Sequence, residues 1–141
     1  MKPFSILFFV MLMGIAPGSR AGMGTPDLPS DTVHLKKLMK QMGDYNIFEI
    51  PGSLAHSTVQ TERSEKMAKE LSPYDLMKIC MENSNPIVRL YAFMNLANRM
   101  DNIPIEIVQK FNKDSTLINF RNPRGEIKKV PLSQIANGFL K

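Results

Sequence analysis

Asn85-Pro86-Ile87-Val88-Arg89-Leu90-Tyr91-Ala92-Phe93-Met94-Asn95-Leu96-Ala97 reads as one helix that is apolar on nearly every side. Asn85 can cap its first turn, and Pro86 suits the first helical position, where a missing N–H leaves no bond unmade. Leu90, Phe93, Met94, Ala97 and Met100 make one stripe at helical spacing, and Val88, Tyr91, Ala92 and Leu96 make an adjoining one. Arg89, Asn95, Asn98 and Arg99 interrupt that surface. A helix that is hydrophobic all round is covered by other elements. The expected class is therefore mainly α, a compact helical domain with this helix at its centre.

Immediately upstream, Ser72-Pro73-Tyr74-Asp75 starts another helix, with Ser72 as N-cap, Pro73 at the first position and Asp75 closing a capping box. It runs to about Glu82 or Asn83. Residues 57–71 form a weaker helix, with Val59, Met67 and Leu71 as a thin apolar stripe. Its Glu62/Lys66 and Glu65/Lys69 spacings favour i,i+4 ion pairs, so these carboxylates read as a solvated face rather than acid/base machinery. Further upstream, Ser30 or Asp31 caps a helix in which Leu35, Leu38, Met39 and Met42 share a face and Gly43 supplies the stop. Tyr45 to Ile50 reads as a loop plugging the core, or as one short strand.

The stretch 76–96 resembles a HEAT-type helical repeat, with Pro86, Val88, Arg89, Ala92 and Leu96 at the positions of that family's second-helix pattern. The resemblance covers residues 73–100 and implies a paired-helix hairpin used for protein binding. Small Ala92 would let the two helices approach, while Val88 and Leu96 would fill the space between them. Its Pro-Ile-Val-Arg-Leu-Tyr-Ala-Phe wording is also similar to small exported bacterial proteins of unassigned function. HEAT arrays stack several repeats, because one helix pair cannot bury its own apolar face. Here a single full repeat is followed at most by a degenerate one in Ile103 to Phe111, which points to one hairpin inside a domain rather than a solenoid.

Towards the C-terminus the pattern changes. Thr116 to Phe120 has strand composition, Asn122-Pro123-Arg124-Gly125 is a turn signal, and Glu126 to Val130 returns as a second strand. Leu132 to Leu140 then makes a short closing helix. Residues 114–141 are thus a β-hairpin and terminal helix. The hairpin carries Arg121, Arg124, Lys128 and Lys129, a weak candidate surface for an acidic partner or an anionic membrane. The simpler account is a soluble edge, since lysines on edge strands discourage aggregation.

The N-terminus carries the address. Lys2, the apolar run from Phe4 to Ile15, the Pro17-Gly18 break and Ser19-Arg20-Ala21 follow the order of a secretory signal peptide. The run is shorter than the ~20 residues of a membrane-spanning helix. Residues 1–21 are expected to be a signal peptide cleaved near Ala21, the other reading being a retained anchor. Residues 22–30 are expected to be a Gly/Pro linker and 31–141 a single helical domain, exported to the periplasm or secreted. No second run is long enough to cross the membrane.

Removing Lys2 and Arg20 from 18 Lys+Arg leaves 16 against 13 Asp+Glu, or +3. That is an ordinary surface charge, and no aromatic beyond Phe120 interleaves with the hairpin's cations, so no nucleic-acid partner is expected. Cys80 is the only cysteine and excludes an intramolecular disulfide; at helical spacing with Leu76 and Ile79 it reads as a buried thiol. His34 and His56 are isolated, no metal-ligand spacing occurs, and no cofactor or metal is expected. Ser53, His56 and Ser57 lie close in sequence, but catalytic triads are recognised by geometry, not adjacency. The methionines Met39, Met42, Met67, Met77, Met81, Met94 and Met100 fall in the helices and read as core filler rather than a partner groove.

No residue is assigned a catalytic role. The expected function is an exported, non-enzymatic interaction module that holds another protein, in its most specific version an immunity or inhibitor protein of the cell envelope. The alternative is a small envelope hydrolase using His56 or Cys80.

Overall fold

The buried helix lies at the centre of the molecule: from Ile87 to Ala97 every residue except Arg89 is buried. The structure, a computed structural model, describes residues 30–141. The expected signal peptide and almost all of the linker lie outside those residues. In chain order the elements are α1 (Ser30–Tyr45), β1 (Phe48–Glu49), α2 (Val59–Glu70), α3 (Pro73–Glu82), α4 (Pro86–Arg99), α5 (Ile105–Lys113), β2 (Leu117–Arg121), β3 (Ile127–Pro131) and α6 (Leu132–Asn137). The class is mainly helical with a small three-stranded sheet, ordered β1-β2-β3.

Local chemistry sets the helix starts. The Ser72 hydroxyl accepts from the Asp75 N–H at 3.2 Å, and the Asp75 carboxylate accepts from the Ser72 N–H at 3.0 Å, completing the capping box. Asn85 Oδ1 accepts from the N–H groups of Ile87 and Val88 at 2.9 and 3.2 Å. Around α4, Phe93 stacks on Phe111 with ring centroids 4.3 Å apart, and Phe48 meets Tyr91 at 4.5 Å. Met42, Met67 and Met94 are buried in this core, Met39, Met77 and Met100 pack against it, and Met81 is exposed.

Three expectations are corrected. Gly43 does not stop α1, which continues to Tyr45; the left-handed residue beyond it is Asn46, with φ 53°. Gly43 is instead a contact point, since a Cβ built there would lie 2.6 Å from Asn85 Nδ2. The buried face of α2 is polar: Gln60, Thr61 and Ser64 are inside with Met67, while Val59 is exposed. Gln60 Nε2 donates to the carbonyls of Met42 and Ile47 at 3.2 and 3.0 Å, satisfying acceptors just where α1 ends. The ion pair found on α2 among the described residues is Lys66–Glu70 at 3.9 Å.

Tyr45 to Ile50 both plugs the core and forms a strand. Phe48 is fully buried, and β1 pairs in parallel with β2, Phe48 opposite Phe120 and Glu49 opposite Arg121. The hairpin falls where its turn signal predicted. Gly125 takes φ 85°, a conformation glycine reaches without a Cβ penalty, and Asn122 Oδ1 accepts from the Arg124 and Glu126 N–H groups at 3.0 Å each. The segment Ile103 to Phe111 supplies α5, whose Ile107 and Phe111 are buried against the core.

Candidate functional site

The loop after β1 and the tip of the β2–β3 hairpin lie far apart in sequence, and the sheet brings them together. Between them is a concave cleft of about 400 Å³, lined by Leu54, Ala55, His56, Thr58, Arg121, Pro123, Arg124 and Gly125. Leu54, Ala55 and Pro123 are its apolar lining residues, while His56, Thr58, Arg121 and Arg124 are its polar ones. Thr58 is the N-cap of α2, its hydroxyl accepting from the Thr61 N–H at 3.1 Å. A guanidinium has donors and no acceptor, so the cleft is suited to a carboxylate or another acceptor-rich anion.

Arg121 is held from below. Its Nη1 bonds Glu49 Oε2 at 3.3 Å across the β1–β2 pair, and Glu49 is almost fully buried. A hydrogen bond with the Tyr45 hydroxyl, ahead of the Glu49 carboxylate, raises Arg121 further above its ordinary pKa, so the guanidinium keeps its charge. Behind it, the Glu49 N–H donates to the Tyr91 hydroxyl at 3.0 Å and that hydroxyl donates to the Glu49 carbonyl at 3.1 Å. Burial pushes the Tyr91 hydroxyl well above its ordinary pKa, so it stays a neutral donor. Glu49 Oε1 has no partner among the described residues.

The four hairpin cations thus divide by position. Arg121 is a bonded, half-hidden wall of the cleft, and Arg124 stands exposed at its rim. Lys128 bridges Glu126 at 3.4 Å, and Lys129 is exposed opposite Asn119. Sequence reading missed His56 as their neighbour, because nothing in the sequence shows that residues 54–58 face the turn at 123–125.

The other candidates sit elsewhere. Cys80 is fully buried in the core, its Sγ 4.0 Å from the Arg89 carbonyl, and burial pushes the thiol up to about 12 against the opposing pull of Lys110. A nucleophilic cysteine needs an accessible thiolate, and this environment disfavours both access and charge. His34 is exposed on α1. Among the described residues no group of three or more His, Cys, Asp or Glu side chains comes together, and no helix is long and apolar enough to cross a membrane. A larger recess of about 820 Å³ between α1 and α3 has an apolar floor of Leu35, Met39, Leu71 and Ile79 with both signs of charge at its rim.

Arg89, third of the motif's five marked positions, works as a clamp. It donates to the carbonyls of Asn83 and Ser84 at 3.1 and 3.2 Å, closing the α3–α4 turn, and reaches Asp114 Oδ2 at 2.6 Å beyond α5. Pro86 occupies the first helical turn, and Val88, Ala92 and Leu96 are buried along α4.

What the fold and this cleft define together is a mainly helical protein with a cationic concavity at one end of a small mixed sheet. No family model matches the sequence, and neither a curated protein nor a solved structure matches it.

Proposed function

We propose that the protein is an exported, non-enzymatic protein-interaction module, built around one HEAT-like helical hairpin (α3–α4), that holds an acidic region of a partner protein at its basic hairpin. Its most specific form is an immunity or inhibitor protein of the cell envelope. The observation that carries the reading is the convergence of Arg121, Arg124 and His56 on one cleft, with Lys128 and Lys129 on the same hairpin. Charge of one sign gathered on a concave surface speeds and selects for an oppositely charged partner.

The burial of Cys80 supports binding over thiol chemistry. His56 shares its cleft with guanidiniums, which cannot accept the N–H that orients a general-base histidine. For the HEAT-like form, the support is the packing of Val88, Ala92 and Leu96 and the Arg89 clamp across the α3–α4 turn.

The test is affinity capture of the tagged exported protein from its own cell-envelope extract, beside the Arg124→Glu/Lys129→Glu variant. One stoichiometric partner retained by the wild type and lost by the variant is expected. A blank for both after mild crosslinking, or equal retention by both, removes the proposed interface.

A further inference from the structure

Among the described residues, β3 leaves one edge of the sheet open, and its backbone polarity can be read from the ladder. The Asn122 N–H donates to the Glu126 carbonyl and the Leu132 N–H donates to the Thr116 carbonyl, both at 2.9 Å. In an antiparallel pair, bonded and non-bonded positions alternate. With Ile118 opposite Val130 and Phe120 opposite Lys128, residues 126, 128, 130 and 132 therefore turn their N–H and C=O towards β2. Ile127, Lys129 and Pro131 turn theirs outward. Pro131 agrees independently: a proline inside a sheet is tolerated where its missing N–H would have faced solvent. The free edge thus offers the N–H and C=O groups of Ile127 and Lys129, while the Pro131 carbonyl is taken up by the first turn of α6. Ile127, Lys128 and Lys129 are exposed, so the edge is reachable.

The geometry points to β3 as a docking edge for an extended acidic segment of a partner protein, added as a fourth strand. This rests on the interaction-module reading above and names its mode of recognition. Main-chain bonds to an edge supply affinity, and side chains at alternate positions supply specificity. Lys129 lies on the sheet face shared with Asn119 and Arg121, and Lys128 on the face of Phe120. An incoming strand with acidic residues opposite both, and an apolar residue opposite Ile127, meets a charge complement on each face. Continuing past the turn, it reaches Arg124 at the rim of the cleft.

The same lysines argue against a second copy of this chain as occupant. An antiparallel copy whose two-fold axis falls at Lys128 or at Lys129 would set that lysine directly against its own counterpart, and like charges directly opposite are destabilising. A lysine-bearing edge that repels its own kind and admits an acidic strand is one device serving both ends.

The experiment uses the exported protein and a fluorescein-labelled peptide, Thr-Val-Glu-Glu-Val-Thr-Glu-Glu, with a Lys-for-Glu peptide as control. Lys129→Gln removes the charge and keeps the outward N–H; Lys129→Pro removes both without touching the β2 ladder. Binding of the acidic peptide alone is expected, weakened by Lys129→Gln and by about a further tenfold in Lys129→Pro, as the loss of main-chain bonding requires. In the wild type, amide exchange measured by NMR should slow at Ile127 and Lys129 when the peptide is bound. Peptide binding with neither amide protected, and with Lys129→Pro equal to Lys129→Gln, overturns strand addition while leaving an acidic-partner surface standing. Binding to anionic lipid vesicles but not to the peptide, or a dimer in sedimentation that Lys129→Pro abolishes, also overturns it. Capture of an envelope partner without any peptide binding removes this edge and spares the broader reading, whereas failure of both removes both.

Discussion

Gly43 shows how a single hydrogen atom's worth of space can position two helices. In an exposed helix, alanine is favoured over glycine by about 1 kcal/mol. At position 43 the added methyl would meet Asn85 Nδ2 at 2.6 Å, and Asn85 is the side chain whose Oδ1 caps α4. The clash is relieved by moving the cap, so Gly43→Ala is expected to destabilise the protein by about 1–2 kcal/mol, as a lost N-cap does. Denaturant midpoints measured for Gly43→Ala, Asn85→Ala and the double variant check this. The two single changes should be strongly non-additive, because each disables the same contact. At Cys80 the expectation is the reverse in function: Cys80→Ser places a hydroxyl in a dry core and should lower stability by about 1–3 kcal/mol. It should leave partner capture by the folded protein unchanged, and loss of capture without loss of fold would restore the thiol to the site.

Between elements, the end of α5 is tied to the α3–α4 turn by the Arg89–Asp114 pair, both side chains largely hidden from solvent. Burial alone would push the Asp114 carboxyl up, but hydrogen bonds from Thr116 and from Arg89, with the guanidinium's charge, hold it below its ordinary 3.8. A carboxyl lowered in the folded state adds stability that is complete above its unfolded value and is lost as pH falls through the folded one. The wild type should therefore lose stability below about pH 4 more steeply than Asp114→Asn does. At neutral pH that variant should be about 2 kcal/mol less stable, because Arg89 is left half-buried without its counter-ion. Parallel acid titrations of the two proteins followed by far-UV circular dichroism check the convergence of the curves. On α2 the tie is neutral: Gln60 spans the carbonyls of Met42 and Ile47. Hydrophobic periodicity could not have found it, since that pattern places polar residues outside. It ranked exposed Val59 above buried Gln60 for the same reason.

Across the whole molecule, legibility follows the sequence distance of the partners. The starts of α3 and α4 are written in Ser72-Pro73 and Asn85-Pro86, and the hairpin turn in Asn122-Pro123-Arg124-Gly125, each satisfied within a few residues. The parallel pairing of β1 with β2 joins residues about seventy positions apart through a strand of two residues, too short to carry a period of its own. The cleft inherits that obscurity, because it exists only when β1 is seated and its following loop is set beside the hairpin. Phe48 is the residue that seats it, packed against Tyr91 and flanked by Phe120 at 6.4 Å and Phe139 at 6.2 Å. Phe48→Ala should cost about 3–5 kcal/mol, the range for emptying a buried aromatic site. The damage should not be confined to stability. Without the ring, the parallel pair loses the anchor that places Glu49 under Arg121, so binding of an acidic peptide should weaken although Phe48 touches no ligand. The less invasive Phe48→Leu refills most of the volume and should retain both fold and binding. Titrating the same labelled peptide into Phe48→Leu and Phe48→Ala, under conditions where circular dichroism shows both folded, separates the two roles. Equal binding by both variants would mean that the cleft holds its shape without β1, and that the sheet's short strand serves the core alone.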